Sequence, residues 1–180
     1  MFSKKSIVIS ILKVLFLALL ILMPLVQSTA THDSYELPKS LFFHALGGFL
    51  VSVYFFGYAF LDFPLSLPPK EVSAFFALYT VSSLFAGSLT TSLWGYYGRP
   101  SGGLVFQLVC FGLFVAGLSL FSYKFIFKSL FYSVIGSSIA VALIGVLQHF
   151  GLGFASVDRV YSTFGQPNWL AAFLGTGAVF

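Results

Sequence analysis

The sequence predicts an all-α fold, a polytopic transmembrane helix bundle of about six spans with the sixth truncated and the N-terminus cytoplasmic. Three observations point there. The 180 residues are 58% hydrophobic and 8% charged, whereas a soluble domain averages about half apolar and a quarter charged. The apolar residues, which include 24 Phe, fall into repeated runs of the ~20-residue length that a bilayer demands. The lysines concentrate on one side of the bilayer that these runs define. A transmembrane barrel is disfavoured, because its strands would be short and would alternate apolar with polar residues.

Span one, residues 7–26, stands behind Lys4 and Lys5. Its basic start and the following Gln27-Ser-Thr-Ala30 resemble a secretory signal. Its apolar stretch exceeds the ~7–15 residues of such signals, so an uncleaved helix is expected. Span two covers residues 41–61 and is followed by Leu61-Asp-Phe-Pro-Leu-Ser-Leu-Pro-Pro69. Pro68 and Pro69 cannot continue span two but can precede the first turn of span three, residues 72–93. Spans four and five cover residues 103–121 and 130–150. Span six opens near Pro167 and is still apolar at Phe180, which supplies only about 14 residues where a crossing needs about 20. The whole of 1–180 is therefore expected to be a single transmembrane domain, the N-terminal part of a longer polytopic protein. Small residues recur four apart at Gly48/Ser52, Ser83/Gly87, Gly112/Ala116, Gly136/Ala140 and Ala171/Gly175, a spacing that lets helix backbones approach closely.

With the N-terminus inside, the inner segments carry Lys4, Lys5, Lys70, Lys124 and Lys128, and Lys13 lies within span one. The outer loops hold only Lys39, Arg99 and Arg159. The net charge of +4 thus reads as a topology signal. It does not read as a nucleic-acid footprint, since the basic residues form no run and the aromatics sit in lipid-length segments. Cys110 is the sole cysteine and lies in an apolar run, so it suggests packing. His32, Asp33 and Glu36 share the first outer loop without metal-ligand spacing, and no metal or cofactor is expected. P-loop, GxSxG, HExxH and CxxC patterns are absent from the sequence, and no carboxylate pair assigns an acid and a base.

Chemistry concentrates in Arg159-Val-Tyr-Ser-Thr-Phe-Gly-Gln-Pro-Asn168, a polar island between two apolar segments. Such a stretch is costly near lipid. The three outer cations each precede a helix that enters the membrane N-terminus first. Helix starts carry partial positive charge and free N–H groups, so they favour anions, a phosphate or diphosphate among them. Arg99 lies in Trp94-Gly-Tyr-Tyr-Gly-Arg-Pro-Ser-Gly-Gly103, whose glycines permit tight turns and close approach to a ligand. Trp94, Tyr96 and Tyr97 serve either an interfacial belt or a sugar-stacking surface. Around Arg159, the groups of Ser162, Thr163, Gln166 and Asn168 either bind a ligand or cap the helix that Pro167 begins, with Arg159 on lipid headgroups. Asp158 either orients Arg159 or balances its charge. His44 reads as a packing residue. His149 is the better functional candidate, because Gln148 and the Arg159 loop are close in sequence.

Arg159-x-Tyr-Ser-Thr-Phe-Gly-Gln-Pro-Asn-Trp-Leu-Ala-Ala172 resembles the R…G-[TS]-F-x-N/Q-P-N-x-[LF]-A signature of the O-antigen ligase and O-antigen polymerase family. Leu93-Trp-Gly-Tyr-Tyr-Gly-Arg-Pro-Ser-Gly-Gly-Leu104 is similar to that family's outer G-x-x-x-R-x-x-G-L segment, with one extra glycine. Tyr35-Glu-Leu-Pro-Lys39 resembles the loop that often follows its first span. The resemblance implies a multi-span enzyme of the bacterial inner membrane with its site on the periplasmic face. It would move a glycan from an undecaprenyl-diphosphate carrier to a glycan, lipid or protein acceptor by metal-independent, inverting transfer. Arg99 and Arg159 match the arginines that hold the diphosphate leaving group, where they would stabilise developing negative charge. Tyr161, Ser162, Thr163, Gln166, Asn168, Tyr97, Lys39 and His149 are the expected substrate-binding residues. The resemblance implies that the base lies in a large outer loop beyond Phe180, so residues 1–180 alone are expected to be inactive. Two other readings stay open, a transporter or flippase for a lipid-linked or anionic substrate, and a non-catalytic membrane scaffold.

Overall fold

A computed structural model describes residues 4–31, 33–96, 100–121, 123–152 and 159–179, except for the side chains of 4, 100, 123, 124, 126 and 127. Among these residues the chain is all-helical, with no β-strand. The α-helices are α1 (Lys4–Leu22), α2 (Glu36–Phe42), α3 (Gly48–Leu61), α4 (Lys70–Leu84), α5 (Leu89–Trp94), α6 (Leu104–Leu120), α7 (Tyr123–His149) and α8 (Pro167–Val179). Three helical segments are long and apolar enough to cross a membrane: Lys5–Leu25, Glu36–Leu61 and Lys128–His149. Leu104–Leu120 is apolar but shorter.

The second of those segments is continuous because a π-helical turn, Phe43–Gly47, joins α2 to α3. The helix ends where Asp62 turns left-handed, at φ 53°, and the proline-rich stretch follows. The expected single helix over residues 72–93 is instead two. α4 stops at Leu84, and the Ser88 hydroxyl caps α5 by accepting from the Thr91 N–H. Ser and Gly at 87–88 favour a cap and a turn over a helix interior, and here that local chemistry outweighs the apolar run. α7 begins earlier than expected, so Lys128 lies within the helix, not in a loop.

The core forms where α1, the π-helical turn, α3 and α6 meet, around Leu12, Phe16, Leu50, Tyr54 and Leu113. Gly112 allows a tight crossing there, since a Cβ would fall 2.6 Å from a Val51 methyl. Gly177 plays the same part between α8 and α7, facing Ser138. Of the other anticipated small positions, Gly48, Gly136 and Gly175 face open space. Leu78, Phe85, Phe60, Leu143 and Phe150 remain exposed. An exterior this apolar suits lipid contact.

The helices run between two ends. At one, the Lys5 ammonium donates to the Asp62 carbonyl at 2.5 Å, and the Ser66 N–H donates to the Ser119 hydroxyl at 2.9 Å. At the other, the short 3₁₀ turn Met23–Leu25 after α1 packs against both α2 and α7, and the turn Pro100–Gly102 packs against α2 and leads into α6. The polar island joins this second end.

Candidate functional site

The island is pinned by groups from four directions. The Gln148 side chain, buried at the end of α7, accepts from the backbone N–H of Tyr161 at 3.0 Å and of Ser162 at 2.9 Å. The Ser162 hydroxyl donates to the Val141 carbonyl at 2.7 Å. The Thr163 hydroxyl donates to the Pro24 carbonyl at 2.7 Å, beyond the end of α1. The Lys39 ammonium, from α2, donates to the Val26 carbonyl at 2.9 Å and to the Thr163 carbonyl. It also stands 5.2 Å from the centre of the Phe164 ring. Apart from the Val141 carbonyl, which lies within α7, each bond satisfies a backbone group beyond the end of an α-helix that would otherwise be stranded where water is scarce.

These contacts sort the expected residues. Thr163 is fully buried and Ser162 nearly so, and both hydroxyls are spent inside the protein. Lys39 is likewise committed to two backbone carbonyls. These three residues hold the loop in shape. Arg159, Gln166 and Asn168 are exposed, and Tyr161 is half-buried. Arg159 makes no hydrogen bond or ion pair with another described residue. His149 points outward with its ring 5.3 Å from that of Phe150. Its neighbour Gln148, not His149, reaches the island. His44 lies with Nδ1 2.7 Å from the Ser40 carbonyl, the packing role expected of it. Arg99, Tyr97, His32 and Asp158 lie outside the described residues.

Tyr35, which the sequence marks only as part of a loop motif, proves central. Its ring meets that of Tyr161 edge-on at 5.5 Å and 80°. It also lies over Gly165, whose φ is +71° and where a Cβ would fall 2.4 Å from the Tyr35 ring. Burial first, and then a side-chain hydrogen bond with Tyr161, push the Tyr35 hydroxyl up to about 12. Three recesses share Tyr35 as a wall. One of about 260 Å³ is bounded by Tyr35, Glu36, Lys39, Phe164 and Trp169. One of about 130 Å³ runs past Gln27, Gln148, Tyr161 and Ser162. One of about 330 Å³ is bounded by Gln27, Ser28, Thr29, Ser34 and Tyr35.

Two of these residues carried a signal that was open to use. Gln148 is an uncharged polar side chain in the last turn of an apolar helix, which is costly unless it is paired. Trp169 directly follows the island. The recess-lining hydroxyls of Ser28, Thr29 and Ser34 carried none, since serine and threonine are ordinary in any loop. Family models, curated proteins and solved structures were all compared with the chain, and none matches.

Proposed function

We propose that this protein is a multi-pass membrane enzyme that transfers a glycan from an undecaprenyl-diphosphate carrier to a glycan, lipid or protein acceptor. In this reading it sits in the bacterial inner membrane with about six spans, and the island's end faces the periplasm. The observation that carries the proposal is the exposed Arg159 at the start of a loop that Lys39, Gln148, Ser162 and Thr163 hold in place. An exposed arginine on an ordered loop suits the recognition of a diphosphate through its bidentate fork. In transfer, that fork would neutralise charge growing on the departing diphosphate as the glycosyl bond breaks. The recess of Phe164 and Trp169 beside Lys39 offers aromatic surface for the first part of the carrier's isoprenoid chain. Arg99 would act from the second loop, and no cofactor is required by this chemistry.

The test is transfer from an undecaprenyl-diphosphate glycan in membranes that contain the protein. Arg159→Lys should cut transfer by ~10²-fold or more, the scale on which a transition-state hydrogen-bond donor acts, while insertion and abundance stay unchanged. Near-normal transfer by that variant would sink the role given to Arg159, and no transfer by the wild type would sink the transferase reading. Movement of the lipid-linked glycan across the bilayer without bond cleavage would replace it with the transporter or flippase reading.

A further inference from the structure

The 330 Å³ recess shares Tyr35 with the recess of Phe164 and Trp169, and its lining differs in kind. Gln27, Ser28, Thr29 and Ser34 surround it with an amide and hydroxyls. Among the described residues no charged side chain lines it, which sets it apart from an anion site at Arg159. Among the described residues, the Gln27 amide and the hydroxyls of Thr29 and Ser34 make no hydrogen bond. They are donors and acceptors held at the wall of a concavity without a protein partner.

The wall itself is built. The Ser28 N–H donates to the Ser34 carbonyl at 3.0 Å, closing the loop on itself. The Asp33 carboxylate accepts from the N–H groups of Tyr35 and Glu36 at 2.9 and 3.2 Å, fixing the start of α2. The Thr31 hydroxyl donates to the Asp33 carbonyl at 2.6 Å. Polar groups preset in this way bind a ligand without first paying to order the loop. Tyr35 also lines it, with its ring braced by Tyr161 and by the close approach of Gly165. An aromatic face with neutral hydrogen-bonding groups around it complements a pyranose, which has an apolar face and a rim of hydroxyls. The volume falls at the lower end of the ~300–1,000 Å³ usual for ligand pockets, enough for a sugar ring or two but not an extended chain.

We infer that the recess formed by Gln27, Ser28, Thr29, Ser34 and Tyr35 is a subsite for an uncharged glycosyl residue. This deepens the transferase reading and rests on it for the identity of the natural ligand. The subsite binds the sugar end of a substrate, while Arg159 serves the phosphate end.

The test uses the detergent-solubilised chain and a diazirine-tagged chitobiose, with photolabelling mapped by mass spectrometry. Label should fall on residues 27–35 and be displaced by excess untagged chitobiose. The double substitution Thr29→Val with Ser34→Ala should reduce it about tenfold, since each lost hydrogen bond is worth ~0.5–1.5 kcal/mol. Arg159→Lys should label as the wild type does. Circular dichroism and the melting temperature check that each variant is folded, and Tyr35→Phe, which keeps the ring, should still label. Labelling elsewhere, or equal labelling of the double variant, overturns the subsite. Because labelling needs no transfer, sugar capture here without any glycan transfer by the wild type would remove the transferase reading and leave the subsite standing.

Discussion

Gln148, without a charge, holds as many backbone groups of the candidate site as Lys39 does. One carbonyl oxygen takes two backbone N–H groups, and among the described residues no other side chain bonds them. Gln148→Leu keeps the volume but strands both donors, at a cost of about 1–3 kcal/mol for each one buried. The expected outcome is a melting temperature lowered by several degrees in detergent and an island that becomes cleavable by protease. Gln148→Glu retains an acceptor oxygen and should recover most of the loss. Lys39 behaves similarly. Lys39→Met leaves the Val26 and Thr163 carbonyls without their donor, so it should destabilise the fold, as seen by thermal melting, whatever substrate is present. Loss of glycan transfer in that variant at full thermal stability would return Lys39 to a direct substrate role. Tyr161, Ser162 and Thr163 illustrate the limit of reading polarity along a chain. The sequence marks them as a polar group at a membrane edge, but whether a hydroxyl faces a ligand or a carbonyl depends on partners such as Pro24, which lies 139 positions away from Thr163.

The helices were largely legible from apolar run length, and the departures have local causes. Residues 41–61 and 104–120 sit close to the expected places, since the hydroxyls of Ser52 and Ser119 bond carbonyls four residues back within their own helices and do not start a new one. The run over 72–93 broke because Ser88 offers one. The early start of α7 was missed because Lys124 and Lys128 read as loop residues, although lysine is a good helix former whose long stem can carry its charge away from apolar surface. Small residues four apart were an incomplete guide to helix contact, since the pattern names candidate faces but not which face meets a neighbour. That difference is measurable. Gly112→Ala forces a methyl against Val51 and should cost about 1–3 kcal/mol of stability. Gly136→Ala has open space before it and should be neutral or stabilising. Equal melting temperatures for the two variants would show that the α3–α6 crossing is not as tight as described. The π-helical turn at Phe43–Gly47 has a register consequence: removing one residue there would rotate α2 by about 100° relative to α3 and carry Lys39 away from Thr163.

At the scale of the molecule, the arrangement of ends is the part most exposed to disproof. Thr29 lies at the end that carries the island, and Ser66 lies at the opposite one, bonded to Ser119 near the end of α6. In a background where Cys110 is replaced by alanine, Thr29→Cys and Ser66→Cys should react with a membrane-impermeant maleimide from opposite sides of the bilayer. Reaction of both from one side would overturn the up-and-down order. The distant ties also set a timetable. Lys39 is separated from its Thr163 partner by 124 positions. At the ~5–20 residues per second of ribosomal synthesis, that gap takes about 6–25 s to cross. For those seconds the ammonium waits at the membrane edge with only part of its final coordination, and the nascent chain is most open there to rescue or to degradation.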